Sequence, residues 1–326
     1  MRADVAKYVK RCRTCAEQKP ELRPPAGLMG SRPEVSSPWQ MISLDFIGPL
    51  PRSSHGNVHA LVISDYFSKY VLISPVRSAT AKSLSKIVEE RVFLTYGVPE
   101  RIICDNGVQM RSKEFQSLCQ KYKTRIDYTA NYYPRADPCE RVNGIVKTMI
   151  SSYVKENQRK WDENLEAIAC AIRTSKSETT GYSPFFVNFG REYVETGDLH
   201  KYKVNNQDIT CSPENDINKR SQGFRKLFED IKVNLSKAQE RNRKTYNLRR
   251  RPVQYNIGDK VWRNNKIKSD AVNYINAKLA PKFVGPFQIK RKIGSWTYEL
   301  CDPSGQQKGI WHVQDLKSAN DIALDD

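Results

Sequence analysis

Met41-Ile42-Ser43-Leu44-Asp45-Phe46-Ile47 is almost wholly apolar yet carries a carboxylate near its centre. A strand apolar on both faces belongs in the middle of a sheet covered on both sides. A bare carboxylate there costs on the order of several kcal/mol unless a partner or a cation compensates it. Working outward, Val58 to Ser64 and Tyr70 to Val76 are further apolar runs, joined by short turns at Gly56-Asn57 and Phe67-Ser68-Lys69. The spacing predicts three antiparallel strands, the first being Gln40 to Ile47. Thr80 to Tyr96 follows as an amphipathic helix with Leu84, Ile87, Val88, Val92 and Leu94 on its buried face, stopped by Gly97-Val98-Pro99. Arg101 to Cys104 reads as a strand, Ser112 to Lys123 as a helix and Arg125 to Thr129 as a strand. Loop Ala130 to Pro138 leads into a long helix, Cys139 to Asn157, with its stripe at Val142, Ile145, Val146, Met149, Ile150, Tyr153 and Val154. A helix at Trp161 to Lys176 and an aromatic segment at Tyr182 to Gly190 close the unit. The expectation is an α/β fold: a mixed five-stranded sheet with helices on both faces.

The flanks differ in character. Val5, Tyr8 and Val9 space as a short helix, followed by Cys12-Arg13-Thr14-Cys15 and a connector holding Pro20, Pro24, Pro25 and Pro33, too broken for helix or sheet. Residues 196–218 read as a loop and Lys219 to Arg251 as a charged helix. Short strands at Lys260 to Arg263, Phe283 to Arg291, Trp296 to Cys301 and Gly309 to Val313 predict a small β-barrel. The expected domains are 1–30, 31–195, 196–252 as loop and linker helix, and 253–320.

The chain has 326 residues, with 54 Lys and Arg against 36 Asp and Glu, a net charge of +18. Hydrophobic residues make up 39%, a globular composition rather than a disordered one. Apolar runs such as Tyr70 to Pro75 are too short to span a bilayer, and Met1-Arg2-Ala3-Asp4 has no apolar signal region, so no membrane or secretory role is expected. Eight cysteines are scattered, with only Cys12 and Cys15 close together, which predicts reduced thiols and at most one metal pair. From Lys219 to Asp326 there are 23 Lys and Arg against 11 Asp and Glu, so the C-terminal third carries most of the surplus. Such a surplus calls for a polyanion, and nucleic acid is the first candidate.

Three carboxylates stand out as candidate chemistry. Asp45 lies inside the central strand. Asp105 follows Ile102-Ile103-Cys104 and precedes Asn106-Gly107, at a strand's carboxyl end, and Glu140 sits in the first turn of the long helix. Together they form a hard-oxygen set suited to Mg²⁺ or Mn²⁺. Taken singly, Asp105 also reads as a turn residue and Glu140 as a complement to the helix dipole. Asn143, Lys147 and Ser151 lie on the polar side of that helix, either along nucleic-acid phosphates or simply solvated. Arg241-Asn242-Arg243-Lys244 and Arg249-Arg250-Arg251, with Tyr246 and Tyr255 interleaved, favour nucleic-acid contact, whereas Trp262 and Trp296 read as barrel core. His55, His59, His200 and His312 offer no pairing with Ser or Cys for nucleophilic catalysis.

These residues resemble a known family. Asp45, Asp105 and Glu140, with 34 residues between the last two, are similar to the DD(35)E core of retroviral and LTR-retrotransposon integrases. Leu44-Asp45-Phe46-Ile47-Gly48-Pro49-Leu50-Pro51, Asp105-Asn106-Gly107-Val108-Gln109, Tyr133-Pro134 and Glu140-Arg141-Val142-Asn143 resemble the gypsy-type group. Lys282-Phe283-Val284-Gly285-Pro286-Phe287 resembles its GPY/F motif. The resemblance implies an RNase H-like core, an SH3-like C-terminal barrel, and two Mg²⁺ or Mn²⁺ ions held by Asp45, Asp105 and Glu140. It also implies a nuclear homo-multimer that processes element DNA 3′ ends and joins them to target DNA, with Asn143, Lys147, Arg249, Arg250 and Arg251 as DNA contacts. The pattern departs in three places. The Asp105 to Glu140 gap is one residue short, with Pro138-Cys139 inside it; Tyr133 and Arg135 stand where His and Gln are frequent; and no His precedes Cys12. In the family two upstream histidines complete a zinc site with such a Cys pair. Cys12 and Cys15 therefore read as the half-site of a truncated zinc domain, with no zinc expected in this chain alone. The competing expectations are a host-retained, catalytically reduced DNA-binding or interaction protein and an RNase H-like nuclease.

Overall fold

The computed structural model describes residues 2–20, 23–29, 34–129, 139–154, 157–197, 213–267, 269 and 276–319. Two compact units emerge, one from the described part of residues 33–240 and one from that of 1–32 and 241–326. No helix among the described residues is long and apolar enough to cross a membrane.

The first unit is built on β1 (Met41–Ile47), β2 (His59–Asp65), β3 (Val71–Val76), β4 (Arg101–Cys104) and β5 (Arg125–Tyr128), in the order β3-β2-β1-β4-β5. β1 is central, antiparallel to β2 and parallel to β4, which in turn runs parallel to β5. Its apolar residues explain the position: Met41, Ile42, Leu44 and Ile47 are buried, on alternate faces. Ile42 and Leu44 pack with Leu84 and Val88 of α3 (Ala81–Val88) and with Phe115 and Leu118 of α5 (Lys113–Lys121). Ile47 faces the other layer, with Val146 and Ile150 of α6 (Cys139–Val154) and Leu165 and Ile168 of α7 (Leu165–Thr174). By the period of two, Asp45 shares the face of Ile47, towards α6.

The predicted Thr80–Tyr96 helix is one run with a change of pitch, passing from α3 through a π turn, Glu89–Phe93, into α4 (Leu94–Tyr96). Within that turn Arg91 donates to the Ile73 carbonyl at 3.0 Å and to Ser74 Oγ, while Arg173 of α7 donates to the Val71 carbonyl at 2.6 Å. Two carbonyls of β3, an edge strand, are thereby occupied, which blunts that edge for further pairing.

The expected linker helix does more than link. Leu227, Phe228, Ile231 and Leu235 of α9 (Pro213–Asn247) pack with Val35, Met41, Phe67 and Val187, the last from α8 (Pro184–Phe189). Phe67 and Phe228 meet edge to face with centroids 5.3 Å apart, and Asn234 donates to the Thr180 carbonyl at 2.9 Å. Gly190 ends α8 at φ 67°, where a Cβ would stand 2.2 Å from the Phe224 ring. The charges of this helix mask a short apolar stripe whose partners come from far earlier in the chain. Ile231→Ala should therefore cost about 2–5 kcal/mol in urea unfolding, whereas Val233→Ala, at a position 48% exposed, should change stability by less than about 0.5 kcal/mol.

In the second unit β6 (Lys260–Asn264), β7 (Phe283–Gly294), β8 (Thr297–Cys301), β9 (Gln307–His312) and β10 (Leu316–Ser318) form an antiparallel sheet, in the order β10-β6-β7-β8-β9. Val261, Ile289, Tyr298, Leu300 and Trp311 fill it. Strand β10 lies beyond the predicted set; three residues after a tight turn give no periodic signal, and pairing with β6 is what extends them. Trp262 is buried against Ala16 of α2 (Arg13–Gln18), which follows α1 (Arg2–Arg11). The Pro-rich connector is more ordered than its composition implies. Ala26 forms a parallel bridge with Arg251, and Gly27 passes at φ 93°, so close that a Cβ would lie 2.4 Å from Val313.

Candidate metal-binding active site

The parallel register pairs Leu44 with Cys104, so Asp45 and Asp105 stand level on neighbouring strands, one residue further on. The Asp105 carboxylate accepts the Gly107 N–H at 2.9 Å. Asp45 Oδ1 accepts the Phe46 N–H at 2.8 Å, and Oδ2 accepts the Asn143 side-chain amide at 2.5 Å. Burial first, and the neighbouring Asp105 charge second, push the Asp45 carboxyl up to about 6, against the opposing pull of the Phe46 N–H, the Lys147 ammonium and the Asn143 amide. Two level carboxylates, one of them half-buried and under-compensated, make a site short of positive charge.

That deficit fits a divalent cation. The donors are hard oxygens, and Asn143 Oδ1 is buried with no hydrogen-bond partner among the described residues. Glu140 opens α6, the helix on the Asp45 face; its side chain lies outside the described residues, so the pair Asp45 and Asp105 is what the described site supplies. Among the described residues no three His, Cys, Asp or Glu side chains form a metal-ligating group.

The remaining expected site residues divide. Asn143, expected along DNA phosphates, is 5% exposed and holds Asp45 instead; packing of α6 on β1 turns it inward. Lys147, one turn on, is exposed and near enough to favour ionised Asp45. Arg249 is exposed. Arg250 donates to Gln314 at 3.0 Å and lies 4.0 Å from the Tyr246 ring centroid, and Arg251 donates to the Pro24 carbonyl at 2.9 Å. Both guanidinium groups hold the second unit together, a use that a run of three arginines does not reveal. The Cys15 backbone N–H first, and the Cys15 thiol second, hold the Cys12 thiol below the usual thiol range, while the bond with the Cys12 side chain pushes the Cys15 thiol up. In the turn that carries Asp105, Asn106 and Gly107 belong to the motif that resembles the gypsy-type group, while Arg111 carries no signal in the sequence.

Residues 35–134, which include both carboxylates, match the family model described as integrase core domain. That stretch is similar to an integrase core. Behind it, residues 258–320 match the Tf2-1-like SH3 domain, the second unit's sheet. The Tf2-3 and Tf2-4 transposon polyproteins of Schizosaccharomyces pombe (strain 972) are each 26% identical over 326 residues, covering 97% of this chain. The chain spans 23% of the length of those relatives. In fold it is similar to a chain of the simian T-cell lymphotropic virus intasome in complex with PP2A regulatory subunit B56 gamma. The TM-score is 0.57 at 15% identity, over 98% of this chain and 91% of that one. The integrase core and the SH3-like domain are thus the RNase H-like sheet and the barrel expected above.

Proposed function

We propose that this chain is the integrase segment of a gypsy-type retrotransposon polyprotein, a polynucleotidyl transferase that trims element DNA 3′ ends and joins them to target DNA. The observation that carries the reading is that Asp45 on β1 and Asp105 just past the end of the parallel β4 stand level in a sheet similar to an integrase core, with Glu140 opening the helix packed on the same face. These three residues would hold two Mg²⁺ or Mn²⁺ ions, which supply activation of the attacking oxygen and stabilisation of the leaving one. The protein's own share is positioning. Asn143 and the Phe46 N–H fix the Asp45 carboxylate, one donor on each oxygen, leaving lone pairs on both for a cation. The Gly107 N–H does the same for Asp105. No side-chain nucleophile is needed, since water attacks in trimming and a DNA 3′-hydroxyl in joining. Exposed Lys147 and the basic residues of α9 and the barrel would meet phosphates, and the substrate is chromosomal DNA in the nucleus, approached as a homo-multimer.

The direct test is strand transfer by the full chain on labelled element-end DNA with Mg²⁺ or Mn²⁺. Joined products that disappear with EDTA are expected. A folded, DNA-binding chain that yields none with either cation would sink the proposal.

A further inference from the structure

We infer that Asn106 is a positioning residue for Asp105, and that its side-chain amide governs how tightly the chain holds divalent cations at Asp45 and Asp105. The inference rests on the metal-site reading above. The two ladders that hold β4 close at the pairs Leu44–Cys104 and Cys104–Tyr128, and the Thr129 N–H donates to the Cys104 carbonyl at 2.9 Å just beyond. Asp105 stands one residue past both ladders, yet its carboxylate must keep a fixed relation to Asp45, because Mg²⁺ tolerates little departure from octahedral geometry.

Asn106 takes over where the backbone pairing stops. Its Nδ2 donates to the Thr129 carbonyl, which ties the turn to the end of β5. Its Oδ1 accepts from Arg111 Nη1 at 3.4 Å, and the Arg111 guanidinium lies 5.3 Å from the centroid of the Tyr128 ring. The Tyr128 hydroxyl then donates to the Met110 carbonyl at 3.1 Å. The turn from 105 to 111 is pinned to β5 near both its ends. Inside it there is no slack: a Cβ on Gly107 would stand 2.7 Å from Gln109 Nε2 and 2.9 Å from Asp105 Oδ1. Movement of the turn therefore passes directly to the Asp105 carboxylate.

An Asn before Gly ordinarily serves its own turn by bonding backbone two residues on. Here Asp105 fills that role through the Gly107 N–H, and Asn106 reaches another strand instead. The position needs a donor for Thr129 and an acceptor for Arg111 on one short side chain. Asn supplies both, ionised Asp only the acceptor, and Ala neither.

The test is Mn²⁺ binding to the full chain by water-proton relaxation, alongside strand transfer across a Mg²⁺ titration. Asn106→Ala and Asn106→Asp should each weaken Mn²⁺ binding about tenfold. The half-saturating Mg²⁺ should rise by a similar factor, while the rate at saturating Mn²⁺ stays within about threefold of wild type. The Asp variant is discriminating because it adds a negative charge beside the site. A purely electrostatic role would tighten Mn²⁺ binding, whereas loss of the Thr129 bond loosens it. Asp105→Asn, as a control, should remove most of the binding. If Asp105→Asn loses Mn²⁺ while both Asn106 variants bind as wild type does, the inference falls and the metal site stands. A wild-type chain that does not bind Mn²⁺, or an Asp105→Asn variant that binds it normally, overturns both. Should neither Asn106 variant fold, Asn106 serves the fold rather than the site, and the inference is equally lost.

Discussion

Replacing Asp45 or Asp105 by Asn, or Glu140 by Gln, should lower strand transfer by at least about a thousandfold, because each change removes a charge that on the proposed function holds the cations and is worth several kcal/mol to the transition state. The fold should survive each change. Asp45→Asn should moreover stabilise the cation-free chain, by about 1 kcal/mol or more, since it removes a half-buried charge that burial and Asp105 both disfavour. Added Mg²⁺ should raise the melting temperature of the wild type and leave that of Asp45→Asn almost unmoved. The combination is diagnostic. A residue retained for stability alone would lose stability on substitution, and one retained to hold a cation gains it at the expense of activity. Any single variant with activity within tenfold of wild type would remove that residue from the site.

The basic residues should separate into two classes that the sequence alone does not distinguish. Arg241, Arg243, Lys244 and Arg249 are exposed. Changing all four to Gln should flatten the slope of log K against log salt for duplex DNA by about three to four, near 0.9 per phosphate contact, and weaken binding on the order of a hundredfold at moderate salt. Arg250→Gln and Arg251→Gln should leave that slope nearly unchanged. Their guanidinium groups are engaged with Gln314, Tyr246 and the Pro24 carbonyl, so their loss should appear as a lower melting temperature of the second unit. Equal effects of the two sets on the salt slope would contradict this division.

Strand β1 was legible because burial on both faces demands an unbroken apolar run, and nothing else in the chain makes Met41 to Ile47 apolar. The same physics exposed Asp45, since a carboxylate is conspicuous only where everything around it is not. The strands β2 to β5 and the helices between them followed from periodicity, with ends shifted by a residue or a few, as capping and pairing trimmed them. The apolar stripe of α9 is hidden in the sequence because four residues in a 35-residue helix are outweighed by charge. Only the packing of Val35, Met41, Phe67 and Val187 against them shows that the helix completes the core. By sequence alone Asn143 falls on the outward side, with Lys147 and Ser151 one and two turns on. Helix periodicity says which residues share a face, but it does not say that Asn143 lies over Asp45.

Local chemistry was thus written in the sequence by itself: which segments are strands, where a buried charge is anomalous, and which motifs resemble an integrase. Those properties depend on near neighbours in the chain and on the cost of burying polar groups, and both can be read residue by residue. What the tertiary structure alone decided is which groups meet. Asp45 and Asp105 are 60 positions apart in the sequence and become level only through the parallel pairing of β1 with β4. Asn106 reaches Thr129 across 23 positions, and Arg251 reaches Pro24 across 227. Side chains choose long-range partners by the geometry of strand register and helix packing, and no local pattern carries that information.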